Sequence, residues 1–171
     1  YRNAMNSADN FGAHTGNSDP YFAYLKDYTW GSNAVKSHQG LMFEAFLTYG
    51  LDASLNAAAH TAAQRYVNYL HGVNPLGLVY LSNMGGSGAA NSVNEFYHSW
   101  FTHGSALWDR VGVSTYGPPP GFLTGGPNPS YALDGCCPSG CGSAQNNALC
   151  ASESVSPPTG QPAQKSYKDR S

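Results

Sequence analysis

Five of the seven positions from 97 to 103 carry rings that can stack or transfer protons: Tyr97, His98, Trp100, Phe101 and His103. The two histidines are five apart, the wrong spacing for two metal ligands on one helix face. A lone imidazole among aromatic rings can instead donate to a hydroxyl or face a charged transition state, or simply fill a core. Glu95 and Asp109 flank the cluster among only ten carboxylates: Asp9, Asp19, Asp27, Glu44, Asp52, Glu95, Asp109, Asp134, Glu153 and Asp169. None forms a DxxD or ExxE pair. The two cooperating carboxylates that glycoside hydrolysis needs are therefore not singled out by spacing. Ser-His-Asp chemistry lacks a GxSxG elbow. The glycine run 85–90 lacks the strand–GxxxxGK[ST]–helix setting of a phosphate loop.

Four cysteines form a second chemical cluster, at 136, 137, 141 and 150, in a stretch poor in hydrophobes. The spacing fits a CxxC-type zinc site poorly. Cys136 and Cys137 are too close in sequence to pair with each other. Disulfides are the preferred reading, either Cys136–Cys141 with Cys137–Cys150 or Cys136–Cys150 with Cys137–Cys141. Such staples would order the loop and place the protein outside the cytosol.

Composition narrows the ligand. Charged residues make up 11% of the 171 and the net charge is −2, which leaves no basic face for nucleic acid. Aromatics reach 13%, with 12 tyrosines, alongside 20 glycines and 11 prolines. A loop-rich protein of this kind meets its ligand through rings and amides, as sugars require. The alternative for any single tyrosine is a place in the core. No run of 18 apolar residues occurs, so no membrane span is expected. Tyr1 follows no charged-then-apolar leader and the end QPAQKSYKDRS does not taper, so the chain is expected to be a piece of a longer one.

Helices must position the cluster. WGSN at 30–33 marks a helix start with Ser32 or Asn33 as N-cap. Ala34, Val35, His38, Leu41, Met42, Ala45, Phe46 and Tyr49 recur at three- and four-residue steps and predict the buried stripe of a helix of about four to five turns. His38 reads as a core histidine, and Gly50 or LDAS as the stop. A second helix is predicted over about Ser54–Leu70, burying Leu55, Ala58, Ala59, Ala62, Tyr66, Val67 and Leu70. Its alanines imply close approach to a neighbour, and the pair reads as an αα-hairpin.

Residues 1–20 hold a short helix at best. Residues 21–30 are ambiguous. Asn74-Pro75 breaks the second helix, and 76–81 is an apolar, extended run. Asn91 or Ser92 is expected to cap a short helix carrying Val93, Phe96, Tyr97 and Trp100. Residues 117–131 form a rigid proline- and glycine-built loop, neither helix nor central strand.

Taken together, YTWGSN, YVNYLHGVNPLGLVYLSNMGGSG, NSVNEFYHSWFTHGS, PPPGFLTGGPNPSY and QPAQKSYKD resemble the C-terminal part of a glycoside hydrolase family 9 catalytic domain, over about Tyr28–Ser171. The resemblance implies an all-α fold, part of an (α/α)6 barrel with long irregular loops, and makes residues 1–171 the C-terminal portion of one such domain. It implies inverting hydrolysis of β-1,4-glucosidic bonds in cellulose or related β-glucans, as an endoglucanase. In that chemistry an aspartate pair activates water and a glutamic acid protonates the leaving oxygen.

The family's DAGD-like aspartate motif does not occur here. Tyr167-Lys168-Asp169 resembles the start of the element bearing the acid glutamate, and the sequence stops before that residue. The chain alone is therefore expected to be inactive. His98 matches the histidine of the family's His-x-Arg element, with Trp100 in place of the arginine. The resemblance thus makes His98 and Asp169 the catalytic-site candidates, and Tyr97, Trp100 and Asn83 the substrate-binding ones.

The resemblance implies a secreted protein, monomeric apart from missing parts of its own domain, taking glucan and neither nucleic acid nor membrane as partner. Family members often bind calcium. Asp134 is the candidate ligand here, although a turn aspartate is the preferred reading, and no metal or cofactor is assigned. The alternative function is a non-catalytic carbohydrate-binding protein using the same aromatic cleft.

Overall fold

The computed structural model describes residues 11–17, 19–26, 28, 31–96, 109–112 and 115–127. Among them, three α-helices and four short strands follow one another: α1 (Phe11–Thr15), α2 (Ser32–Thr48), α3 (Asn56–Leu70), β1 (Val79–Ser82), β2 (Ser92–Val93), β3 (Glu95–Phe96) and β4 (Asp109–Arg110). The described part is helix-rich with few strands, compatible with the all-α class.

The expected hairpin of α2 and α3 is the centre of the packing. Gly40 of α2 lies against Tyr66 of α3 so closely that a Cβ there would sit 3.2 Å from the Tyr66 Cβ. Ala59, Ala62 and Ala63 are buried beside it, as small residues at a close helix contact should be. Both helices end alike. Gly50 and Gly72, each at positive φ, follow the last turns, and Leu51 and Val73 donate backward to the Phe46 and Asn68 carbonyls at 3.2 and 2.9 Å. This is the Schellman arrangement, which glycine permits because it lacks a Cβ. Gly50 therefore ends α2 as read from the sequence, whereas α3 stops before Asn74-Pro75.

The start of α2 differs from expectation. Gly31 occupies the N-cap at φ 81° and no side chain caps the helix. Ser32 and Asn33 are fully buried and bond forward across the chain, Ser32 Oγ to the Pro127 carbonyl at 2.7 Å and Asn33 Nδ2 to the Thr124 carbonyl at 3.0 Å.

The buried stripe is rotated as well. α2 buries Ser32, Asn33, Lys36, Gly40, Phe43 and Phe46. Of the predicted stripe only Phe46 is buried; Leu41 and Tyr49 are 65% and 73% exposed, and His38 is exposed rather than a core residue. In α3 the prediction holds for Ala59, Ala62, Tyr66 and Leu70, while Val67 faces outward.

The core is aromatic and small-residue rich. Phe43 stacks on Tyr66 and meets Phe11 edge-on, and Tyr69 stacks on Tyr80. Tyr66, Tyr69 and Tyr80 are thus core rings, the plainer of the two readings of a tyrosine here.

Candidate functional site

β1 is the floor on which the segment preceding the histidine cluster is built. Its apolar run is extended, as expected, and its backbone bonds alternate between two neighbours. Val79 N donates to Asn91 O at 2.9 Å, and Asn83 N, just past the strand, donates to Val93 O at 2.8 Å, tying the parallel β2 to it. At the even positions, Ser82 N donates to Phe122 O and Thr124 N to Tyr80 O, at 2.9 and 3.0 Å. The 121–124 stretch of the proline- and glycine-built loop therefore runs antiparallel beside β1, bridged at Leu81 and Leu123. Period-two alternation of the strand backbone directs successive amides to opposite edges.

Asn74 joins this floor to the hairpin. It is 6% exposed, and its amide makes four bonds: Nδ2 donates to the Tyr69 and Leu78 carbonyls, both at 2.8 Å, while Oδ1 accepts from Leu76 N and Leu78 N at 3.1 and 3.2 Å. The side chain stands in for a backbone partner on both sides of the turn, which is why asparagine precedes proline here. Spacing marked Asn74-Pro75 as a break; its role as a plug needed the tertiary partners.

Asn83 is the one substrate-binding candidate among the described residues. It is half-buried at φ 52°, and its Nδ2 donates to the Pro118 carbonyl at 2.8 Å, beside the cis Gly117–Pro118 bond. Ser82 Oγ donates to the next carbonyl, Pro119, at 2.5 Å. From Gly85 to Gly88 the chain makes a short, exposed 3-10 turn and a left-handed glycine.

The helix expected from Asn91 or Ser92 does not form. Ser92–Val93 and Glu95–Phe96 are strands instead. Ser92 Oγ, the predicted cap, accepts from Met84 N at 3.0 Å. Val93 is valine, a β-branched residue that suits a strand, and its carbonyl is claimed by Asn83.

β3 pairs antiparallel with β4, Glu95 opposite Arg110 and Phe96 opposite Asp109, and Val111 N closes on Asn94 O at 2.9 Å. The described chain on either side of residues 97–108 is thus paired. β3 begins two residues beyond Val93, whose carbonyl accepts from Asn83 N. Tyr97, His98 and Trp100 fall within 97–108, and they, Asp134, Asp169 and all four cysteines lie outside the described residues.

A buried cation on α2 was missed by the periodicity reading. Lys36 is fully buried, its Nζ donating to the Ala23 carbonyl and lying 4.1 Å from the centre of the Tyr69 ring and 4.9 Å from that of Tyr28. Burial lowers its pKa to about 8, partly offset by attraction to Asp19. Burial also raises the Tyr69 pKa, reinforced by Tyr80 and Tyr28, and raises that of Tyr28 against a hydrogen bond from Tyr69. No local signal distinguishes this lysine from a surface one.

Among the described residues, no group of three or more His, Cys, Asp or Glu could hold a metal ion, and no helix is long and apolar enough to cross a membrane. Comparison with curated proteins and with solved structures gave no match. The family model for glycosyl hydrolase family 9 matches residues 2–171. The resemblance carried by the sequence blocks thus extends over the chain, which belongs to glycosyl hydrolase family 9, a family of glycoside hydrolases.

Proposed function

We propose that the chain supplies part of the cleft of a secreted, inverting endo-β-1,4-glucanase, with cellulose or a related β-glucan as substrate. The observation that carries this reading is the family match over residues 2–171, with the GxNPLG, histidine and GGPNP blocks in family order. Two features of the described chain support it. The GxNPLG block holds the floor through Asn74, and Asn83 is tied to β2, which precedes the strand before the histidine segment. The outward apolar residues Val35, Leu41 and Tyr49 of α2 and Val67 of α3 suit a hairpin with further helices on its far side, as in an (α/α)6 barrel.

In this reading His98 and Tyr97 line the cleft and Trp100 offers a stacking face where the family carries a cation. Asp169 orients the segment of the acid. An aspartate pair draws a proton from water, whose oxygen attacks the anomeric carbon, and the glutamic acid gives its proton to the departing sugar oxygen. The two carboxyl groups stand about 6.5–9.5 Å apart to admit that water. The protein is a monomer stapled by cysteine pairs in its 136–150 loop, and no step passes through calcium.

Cellohexaose titrated into the 171-residue chain is expected to change its Trp fluorescence saturably, and Trp100→Ala to weaken binding about tenfold, the loss of a stacked ring. The same chain should release no reducing sugar from carboxymethyl-cellulose. Release abolished by Glu95→Gln or Asp109→Asn would overturn the assignment of the carboxylates.

A further inference from the structure

Three successive residues of the loop before α2 are each gripped by a different helical side chain. The Arg65 guanidinium lies 4.6 Å from the centre of the Phe22 ring while donating to the Thr15 and Gly16 carbonyls. Lys36 Nζ donates to the Ala23 carbonyl. The Tyr66 hydroxyl donates to the Tyr24 carbonyl at 2.7 Å, and its single hydrogen being spent there, His14 Nδ1 must donate to it at 2.6 Å. Phe22 itself sits at φ 57°, left-handed backbone that a phenylalanine adopts only under constraint. Such strain persists where surrounding contacts over-determine it. The three grips supply that constraint.

The grips differ in kind. The Arg65 contact is a half-buried guanidinium laid on a ring, and the Tyr66 contact is a hydroxyl bond to a carbonyl. Only the middle grip is a cation taken wholly out of water. We propose that Phe22–Tyr24 is a proton-linked latch: opening it returns Lys36 to solvent, where Nζ takes up a proton, so the latch closes more tightly as the solution becomes alkaline.

The direction follows from linkage. Closed, burial depresses the Lys36 pKa to about 8 from the ordinary 10.5. The open state therefore binds more protons above neutrality, and raising the pH favours the closed state. Among the described residues, the ionisable groups around Lys36 are Asp19 and Tyr28 from the loop, Tyr69 from α3 and Tyr80 behind Tyr69 from β1. His14 of α1 faces Tyr66 instead. Tyr28 and Tyr69 titrate above their ordinary range when closed, so they oppose the latch only at pH above about 10.

Between pH 7 and 9 the Lys36 contribution amounts to about tenfold in the opening equilibrium. The Phe22 amide, bonded to Asp19 O at 2.9 Å, reports it. Pulsed hydrogen exchange of the full chain, corrected for the intrinsic pH dependence, should show protection at Phe22 rising about tenfold from pH 7 to 9. Lys36→Met should remove the rise. Arg65→Gln should lower protection at both pH values and keep the rise. Should Lys36→Met fail to fold, the wild-type and Arg65→Gln profiles still decide. A flat wild-type profile, or an equal rise in Lys36→Met, would overturn the latch.

Discussion

The α2–α3 hairpin and the β1 floor sit side by side and are held by different physics. The hairpin closes through small residues and rings: Gly40 against Tyr66, three alanines, Phe43 on Tyr66. The floor buries Leu78, Tyr80 and Val93 as well, but it also closes through side chains that bond backbone: Asn74 at four groups, Ser82 and Asn83 at Pro119 and Pro118, Ser32 and Asn33 at Pro127 and Thr124. Apolar packing degrades gradually because neighbours relax into a lost contact. A buried polar network does not, since each orphaned group bears its full desolvation cost. Loss of one plug should hurt the floor more than one added methyl hurts the hairpin.

Asn74→Ala gives that comparison its hardest test. It strips two carbonyls and two amides of their partner and should cost about 3–4 kcal/mol, read as a fall in the urea midpoint at unchanged slope. A cost below about 1 kcal/mol would mean that water replaces the plug and that the floor is not a sealed network.

Two Gly→Ala changes then compare the regions directly. At Gly126, φ 90°, an added Cβ would lie 2.4–2.7 Å from Asn33 and Ser32 side-chain atoms, so Gly126→Ala should cost about 2–3 kcal/mol. At Gly40 the helix gains about 1 kcal/mol of propensity against overpacking of about 1–3 kcal/mol, for a net loss of about 1 kcal/mol. Equal losses in thermal unfolding would erase the distinction between the regions. The smallest effect belongs to Asp52→Ala, whose carboxylate accepts from Ser54 N and Ser54 Oγ in an exposed turn at the start of α3. About 0.5–1 kcal/mol is expected from chemical denaturation.

Some of this was legible in the sequence for simple reasons. Helix periodicity and the glycine at 50 are local, so two antiparallel helices and the α2 stop could be read directly. The phase of α2 could not. Reading apolar residues as the inner face assumes that burial follows hydrophobicity, yet Ser32, Asn33 and Lys36 go inside because carbonyls of Pro127, Thr124 and Ala23 wait for them. Two of those partners lie more than ninety residues away. The helix expected after Asn91 failed for a related reason: the Val93 carbonyl and the Ser92 hydroxyl are already engaged by the backbone of Asn83 and Met84.

By itself the sequence determined the family, through motif blocks whose order and residue types are written in the chain, and the existence of the hairpin, through local spacing. The tertiary structure alone decided which face of α2 is buried, that Asn74 plugs the turn after α3, and that β3 and β4 pair on either side of residues 97–108. Each of these depends on hydrogen bonds between distant backbone groups, and the energy of a buried polar group is set by the partner it finds rather than by its neighbours in sequence.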